Sequence, residues 1–142
     1  MAALTDEARS VITGGNLGHL VTLNPDGSPQ ASVVWIGLDG DAIVTAHLAA
    51  YQKIRNIRRD PRVVLTIETG VLNAAGMTEY LIVHGKATVN EGGAPALLNR
   101  LAKVYLGPDA TYPPMPNPPE GYVLSISVDR VGGIGPWTGG GH

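Results

Sequence analysis

The chain has 142 residues, 44% of them hydrophobic and 15% charged, with a formal net charge of −2 and no cysteine. These values suit one globular domain with a well-buried core and exclude wholesale disorder, disulfides, thiolate metal sites and thiol catalysis. A charge this close to balance offers no global field for nucleic acid. Neither a basic leader at the amino end nor an apolar run of about 18 residues occurs, so a soluble, cytoplasmic protein with no nucleic-acid or membrane partner is expected.

Thr5-Asp6-Glu7 supplies an N-cap and early acids for a short helix that runs through Ile12 and ends at Gly14-Gly15. Strands are predicted over residues 17–23 and 30–36, joined by the turn Asn24-Pro25-Asp26-Gly27. A tight turn at Leu38-Asp39-Gly40-Asp41 leads into a third strand over 42–46, which together read as an antiparallel meander. The period then changes. Ile54 and Ile57 are spaced i,i+3 among polar residues, which predicts a helix within 49–59 that Asp60-Pro61 stops. Strands follow over 62–69 and 78–90, the second long enough to bend at Gly85. Leu97, Leu98, Leu101, Val104 and Tyr105 recur at helical spacing within 94–106, and apolar alternation marks a last strand over 121–128.

The order is helix, three strands, helix, two strands, helix, strand. Strands do not alternate with helices and no repeat is visible, so the expected fold is mainly β (α+β): one small antiparallel barrel with peripheral helices spanning 1–142. Residues 107–120 carry six of the eleven prolines. They fit a rigid cover over a site, a proline-rich ligand for another domain, or a stiff surface connection. The glycine-rich tail, 131–142, contains Trp137. It is either disordered or folded over a ring or a partner subunit.

The chemically informative stretch holds half of the chain's ten basic residues: Lys53, Arg55, Arg58, Arg59 and Arg62. Lys53 and Asn56 flank the Ile54/Ile57 stripe at i,i+3 and can lean toward one groove, whereas Arg55 falls on the opposite flank. The helix amino end, with its free N–H groups, suits a phosphate. From these residues alone, anion binding and a solvated basic face both stand. His19 and His84 lie on apolar strands and read as structural. His47, closing the third strand, is the histidine placed near the candidate anion site. No histidines or carboxylates have metal-ligand spacing.

The run Lys53-x-Arg55-Asn56-Ile57-x-Arg59-Asp60-Pro61-Arg62 resembles the signature of the pyridoxamine-phosphate-oxidase-like split β-barrel superfamily, in its deazaflavin- and flavin-dependent oxidoreductase group. Upstream, residues 17–23 and the Asp26-Gly27-Ser28-Pro29 turn with its following strand are similar to that family's first two strands. The resemblance implies an FMN-binding-like antiparallel split barrel that works as a homodimer, with the cofactor in a groove between two barrels. Ser32, Val33, Val34 and Trp35 would lie along the ring. Thr45, Ala46 and Lys53 would approach the phosphate, with Arg55 and Asn56 as weaker contributors, and Trp137 would close the groove. The implied activity is that of an F420-dependent oxidoreductase, passing hydride from the reduced deazaflavin to a small organic acceptor. The alternatives are an FMN-binding oxidoreductase of the same fold and a non-enzymatic cofactor- or haem-binding barrel. Because a deazaflavin carries hydride on its own ring, no side chain is assigned as catalytic.

Overall fold

The computed structural model describes residues 4–138. Three helices and seven strands follow in the order α1 (Asp6–Thr13), β1 (Gly18–Leu23), β2 (Pro29–Val34), β3 (Gly37–Asp39), β4 (Ala42–His47), α2 (Gln52–Arg59), β5 (Arg62–Leu72), β6 (Thr78–Glu91), α3 (Ala94–Tyr105) and β7 (Tyr122–Ile134). Thr5 caps α1 as its sequence implies, its hydroxyl accepting from the Ala8 amide at 3.1 Å. No helix among the described residues is long and apolar enough to cross a membrane.

All strand pairings are antiparallel, in the order β2-β1-β5-β6-β7-β4-β3. The long strand β6 serves both halves of this split barrel. Up to Lys86 it pairs with β5, and from Tyr80 to Glu91 it pairs with β7 across a register shift at His84/Gly85. Glycine is required at that bulge, because a Cβ on Gly85 would run into the Ser127 carbonyl. The bend lets alternate side chains of six strands meet inside: Leu20, Val34, Ile43, Leu65, Val83, Leu124 and Ile126 are all buried in one cluster. Ile12 of α1 and Ile54 and Ile57 of α2 plug the same core. Helix α3 packs on β4 and β7 over a separate, smaller cluster of Ala46, Ala94 and Leu98.

Two expectations need correction. The first three strands do not form a meander: β2 pairs with β1, β4 pairs with β7 and β3, and β2 and β4 lie in different halves of the sheet. The reason lies at Trp35-Ile36, where the chain leaves the β1 ladder. There the Ile36 amide donates to the Tyr105 hydroxyl at 3.0 Å, and that hydroxyl donates to the Asn16 carbonyl at 2.7 Å. Tyr105 thus satisfies backbone groups that a neighbouring strand would otherwise take up, and the crossing to the other half is stabilised. The residues expected to turn at Leu38 also begin with a three-residue strand, β3.

The second correction concerns the tail. Strand β7 does not stop at Val128 but continues to Ile134, with Val131, Gly132, Gly133 and Ile134 paired to Val83, Ile82, Leu81 and Tyr80. Its glycines mark close approach rather than looseness: Gly133 has φ +96°, and a Cβ there would strike the Tyr80 carbonyl. Residues 139–142 of the glycine-rich tail lie outside the described residues. Gly133→Ala is therefore expected to destabilise the fold by about 1–3 kcal/mol. Gly132→Ala, with no atom within 4 Å of the added Cβ, should change stability by less than about 1 kcal/mol. Urea unfolding of the two variants checks the contrast.

Candidate functional site

Helix α2 is fixed before it can present anything. Ile54 and Ile57 enter the main core, and between them Asn56 is fully buried. Its side-chain amide donates to the Thr22 hydroxyl and the Asn24 side-chain oxygen, both at 2.9 Å, and its carbonyl accepts from Gln52 at 2.8 Å. Asn56 therefore clamps the helix to the β1–β2 hairpin. One turn earlier on the same face stands Lys53, only 9% exposed, its ammonium donating to the Ser32 hydroxyl at 3.0 Å.

That ammonium has three donors, and among the described residues no carboxylate within ion-pair distance takes one. Its further neighbours are the Tyr51 ring, with the nitrogen 5.6 Å from the centroid, and the imidazole of His47. Burial pushes the Lys53 amine below the usual lysine range. No side chain caps the amino end of α2, which opens next to Lys53. An unpaired buried cation beside an uncapped helix end is a built receptor for an anion.

Lys53 lines a groove of about 200 Å³ together with Val33, Val34, Trp35, Ala46, His47, Leu98 and Tyr112. Five of the residues singled out in the sequence thus meet here: Val33, Val34, Trp35, Ala46 and Lys53. Ser32 belongs with them as the partner of Lys53. Thr45 is fully buried behind the wall, its hydroxyl 2.8 Å from Nε2 of His47.

The remaining three lie elsewhere. The Arg55 guanidinium turns outward and donates to the Ala50 carbonyl at 2.6 Å and to Gln52 at 2.7 Å. Asn56 is engaged inside the clamp. Trp137 packs in the main core, its indole N–H donating to the Gly132 carbonyl at 3.0 Å. Leu98 and Tyr112 were not anticipated as lining residues. Leu98 looked like any apolar helix position, and Tyr112 sits in a segment without secondary structure.

A larger groove, about 530 Å³, lies on the outer sheet face between Val21, Val64, His84 and Arg130. Two of its cations are already matched, Lys86 to Asp129 at 3.1 Å and Arg62 to Asp60 at 2.7 Å. The smaller groove is the better functional candidate because its charge is buried and unmatched. Among the described residues, no group of three or more His, Cys, Asp or Glu is placed to hold a metal ion.

His47 is 7% exposed, and burial, reinforced by the Lys53 charge, drives its imidazole down to about 3. It is neutral at physiological pH and adds no charge to the groove. Above pH ~6.5 folded and unfolded chains both carry it neutral, so it does not affect stability. As pH falls from there toward about 3, the unfolded chain binds the proton and the folded one does not, so stability declines. His47→Gln should flatten the pH dependence of the urea midpoint between pH ~6.5 and ~5, where the native slope contains up to about 1.4 kcal/mol per pH unit from this group.

Residues 4–134 match the family described as pyridoxamine 5'-phosphate oxidase. No curated protein matches the sequence. Among solved structures, one described as an F420 reductase is 25% identical, with a TM-score of 0.70 over 87% of this chain and 94% of that chain. A heme binding protein from Mycobacterium smegmatis is 28% identical with a TM-score of 0.65. The match covers 92% of this chain but 53% of that one, so this chain spans about half of that protein's length. General Stress Protein 26 from Bacillus anthracis, 20% identical with a TM-score of 0.62 over 88% of each chain, shares the fold. The match along nearly the whole chain and the seven-stranded split barrel agree: the chain belongs to the pyridoxamine 5'-phosphate oxidase family, whose fold binds flavin-type cofactors.

Proposed function

We propose that this protein is an F420-dependent oxidoreductase that passes hydride from the reduced deazaflavin coenzyme to a small organic acceptor. One observation carries the reading: a groove lined both by a buried ammonium with no carboxylate partner among the described residues and by an uncharged aromatic pair, Trp35 and Tyr112. The donor set suits a ring-bearing phosphate ester. Lys53 and Ser32 offer charge-assisted hydrogen bonds for the phosphate. Trp35 lies three residues beyond Ser32, about 10 Å along an extended chain, where an apolar ring would sit.

When bound, the coenzyme supplies the hydride chemistry. The chain's own residues bind and orient it. Lys53 and Ser32 fix the anionic end. Val33, Val34 and Trp35 would lie against the ring, while Leu98 and Tyr112 would exclude water from it. His47, kept neutral, leaves Lys53 as the one cation lining the groove.

The choice of deazaflavin is supported by the likeness to a protein described as an F420 reductase. That coenzyme carries a poly-glutamate tail beyond its phosphate, and the basic residues Arg58, Arg59 and Arg62 lend its binding less support than their number suggests, because each has a local partner. Arg58 faces Glu91 at 3.5 Å, Arg59 donates to the Leu23 carbonyl, and Arg62 holds Asp60. FMN is the second reading, since its ring and phosphate make the same demands on Lys53 and Ser32.

Titrating the purified protein with F420 and with FMN separates the two. Tighter binding of F420, with acceptor reduction from its reduced form alone, is expected; equal or tighter FMN binding with turnover moves the assignment to FMN. A Soret band in the purified protein would instead point to haem, as for the relative from Mycobacterium smegmatis. Lys53→Met should weaken F420 binding by about ten-fold to over a hundred-fold. The same change should raise the melting temperature of the free protein, because it removes a buried charge that has no partner.

A homodimer is part of the same proposal. A groove of about 200 Å³ falls below the roughly 300–1,000 Å³ of typical ligand pockets. Beside it Val33 and Tyr51 are half exposed, at 56% and 51%, and a second barrel against them would complete the enclosure. Light scattering of the F420-loaded protein at micromolar concentration should give twice the chain mass of 14.8 kDa. A monomer that retains full affinity would contradict the shared groove.

A further inference from the structure

We infer that Tyr112, carried by the proline-rich segment between α3 and β7, is a ligand-binding residue that forms the ring-facing wall of the groove together with Trp35. The inference rests on the cofactor reading above and assigns the segment a role in it.

The segment is anchored to the groove at both ends. It leaves α3 at Tyr105, whose ring stacks on Trp35 with centroids 5.3 Å apart and planes 10° from parallel. It returns at Gly121, φ +60°, which lies so close to the His47 carbonyl and Leu48 that a Cβ could not fit. Between these points it is held in place. Lys103 donates to the Ala110 carbonyl at 2.9 Å, the Tyr112 amide donates to the Asn99 side chain at 3.3 Å, and Ala94 donates to the Glu120 carbonyl at 2.9 Å. Six prolines in residues 107–120 restrict what freedom remains. The segment is a fixed wall.

Its contribution to the groove is one side chain. The Tyr112 ring meets Trp35 edge-on, centroids 5.3 Å apart at 64°, and both line the cavity beside Leu98. Trp35 is itself held from behind by Tyr105, whose hydroxyl is tied to Ile36 and Asn16. Two rings at a fixed angle make a corner that accepts a flat, uncharged, conjugated surface by stacking on one and edge contact with the other. The cation lines the same groove and is held on Ser32, three residues before Trp35. The groove therefore divides its ligand: phosphate to Lys53 and Ser32, ring to Trp35 and Tyr112.

Two half-ligands test this division. Lumiflavin has the ring without the phosphate, and ribose 5-phosphate has the phosphate without the ring. Binding of each is read by saturation-transfer NMR on the parent, Tyr112→Leu, Tyr112→Phe and Lys53→Met, with F420 and FMN fluorescence recorded in parallel. Tyr112→Leu should weaken lumiflavin by about ten-fold, leave ribose 5-phosphate unchanged and brighten bound FMN or F420, whereas Tyr112→Phe should resemble the parent. Lys53→Met should do the reverse for the two half-ligands. Loss of both half-ligands in Tyr112→Leu, with a lowered melting temperature, would make the residue structural and overturn the inference. Unchanged lumiflavin binding and unchanged fluorescence would also overturn it while leaving the cofactor assignment intact. A parent protein that binds neither F420 nor FMN would overturn both together.

Discussion

The ammonium of Lys53 is buried beside Ser32 with no carboxylate among the described residues to balance it, and much of the surrounding structure follows from holding it there. A buried charge without a partner costs free energy in the folded state, so a chain retains one only where packing leaves no escape. Asn56 removes the escape: its bonds to Thr22 and Asn24 lock α2 onto the β1–β2 hairpin, and Ile54 and Ile57 seat the helix in the core. Lys53 shares that face and has to point over β2. The groove's charge is thus a consequence of how the helix is docked, and an arriving phosphate would supply the missing counter-charge.

The aromatic lining of the groove depends on a topological device. Because β2 and β4 belong to different halves of the sheet, the chain has to cross at Trp35-Ile36, and the crossing leaves backbone groups without strand partners. Tyr105 satisfies them and at the same time stacks on Trp35. The same side chain therefore stabilises the split of the barrel and fixes the aromatic corner. His47, at the end of β4, lines the same groove. It is kept neutral by burial and by the nearby Lys53 charge, so a single cation dominates the local field.

Much of this was legible in the sequence because it rests on local rules. The three helices, the turn at Asn24–Gly27 and the bend at Gly85 follow from capping, spacing and punctuation. The resemblance carried by the segment from Lys53 to Arg62 named the right family. What the sequence hid was long-range. Pairing of β4 with β7 rather than β2 is decided by residues far apart in the chain, and alternation cannot reveal which strands become neighbours. Gly132 and Gly133 looked like flexible tail, although Gly133 answers to the Tyr80 carbonyl across the sheet. Spacing put Arg55 and Lys53 on opposite flanks of the helix but left both as candidates to meet an anion. Only the docked helix shows that one is buried over Ser32 and the other turned back onto Ala50. Tyr112 gave no local signal at all, since its role depends on where α3 places the segment that follows it.

The central claim is that Lys53 is a buried cation waiting for an anion, and its own titration tests that most directly. With lysine labelled at Cε, NMR should show the Lys53 amine of the free protein titrating below the usual lysine range, as burial requires. Saturating the protein with F420 should move that titration upward, because the bound phosphate stabilises the ammonium. A Lys53 resonance that titrates identically in the free and loaded protein would contradict the account, since the anion would then have bound elsewhere.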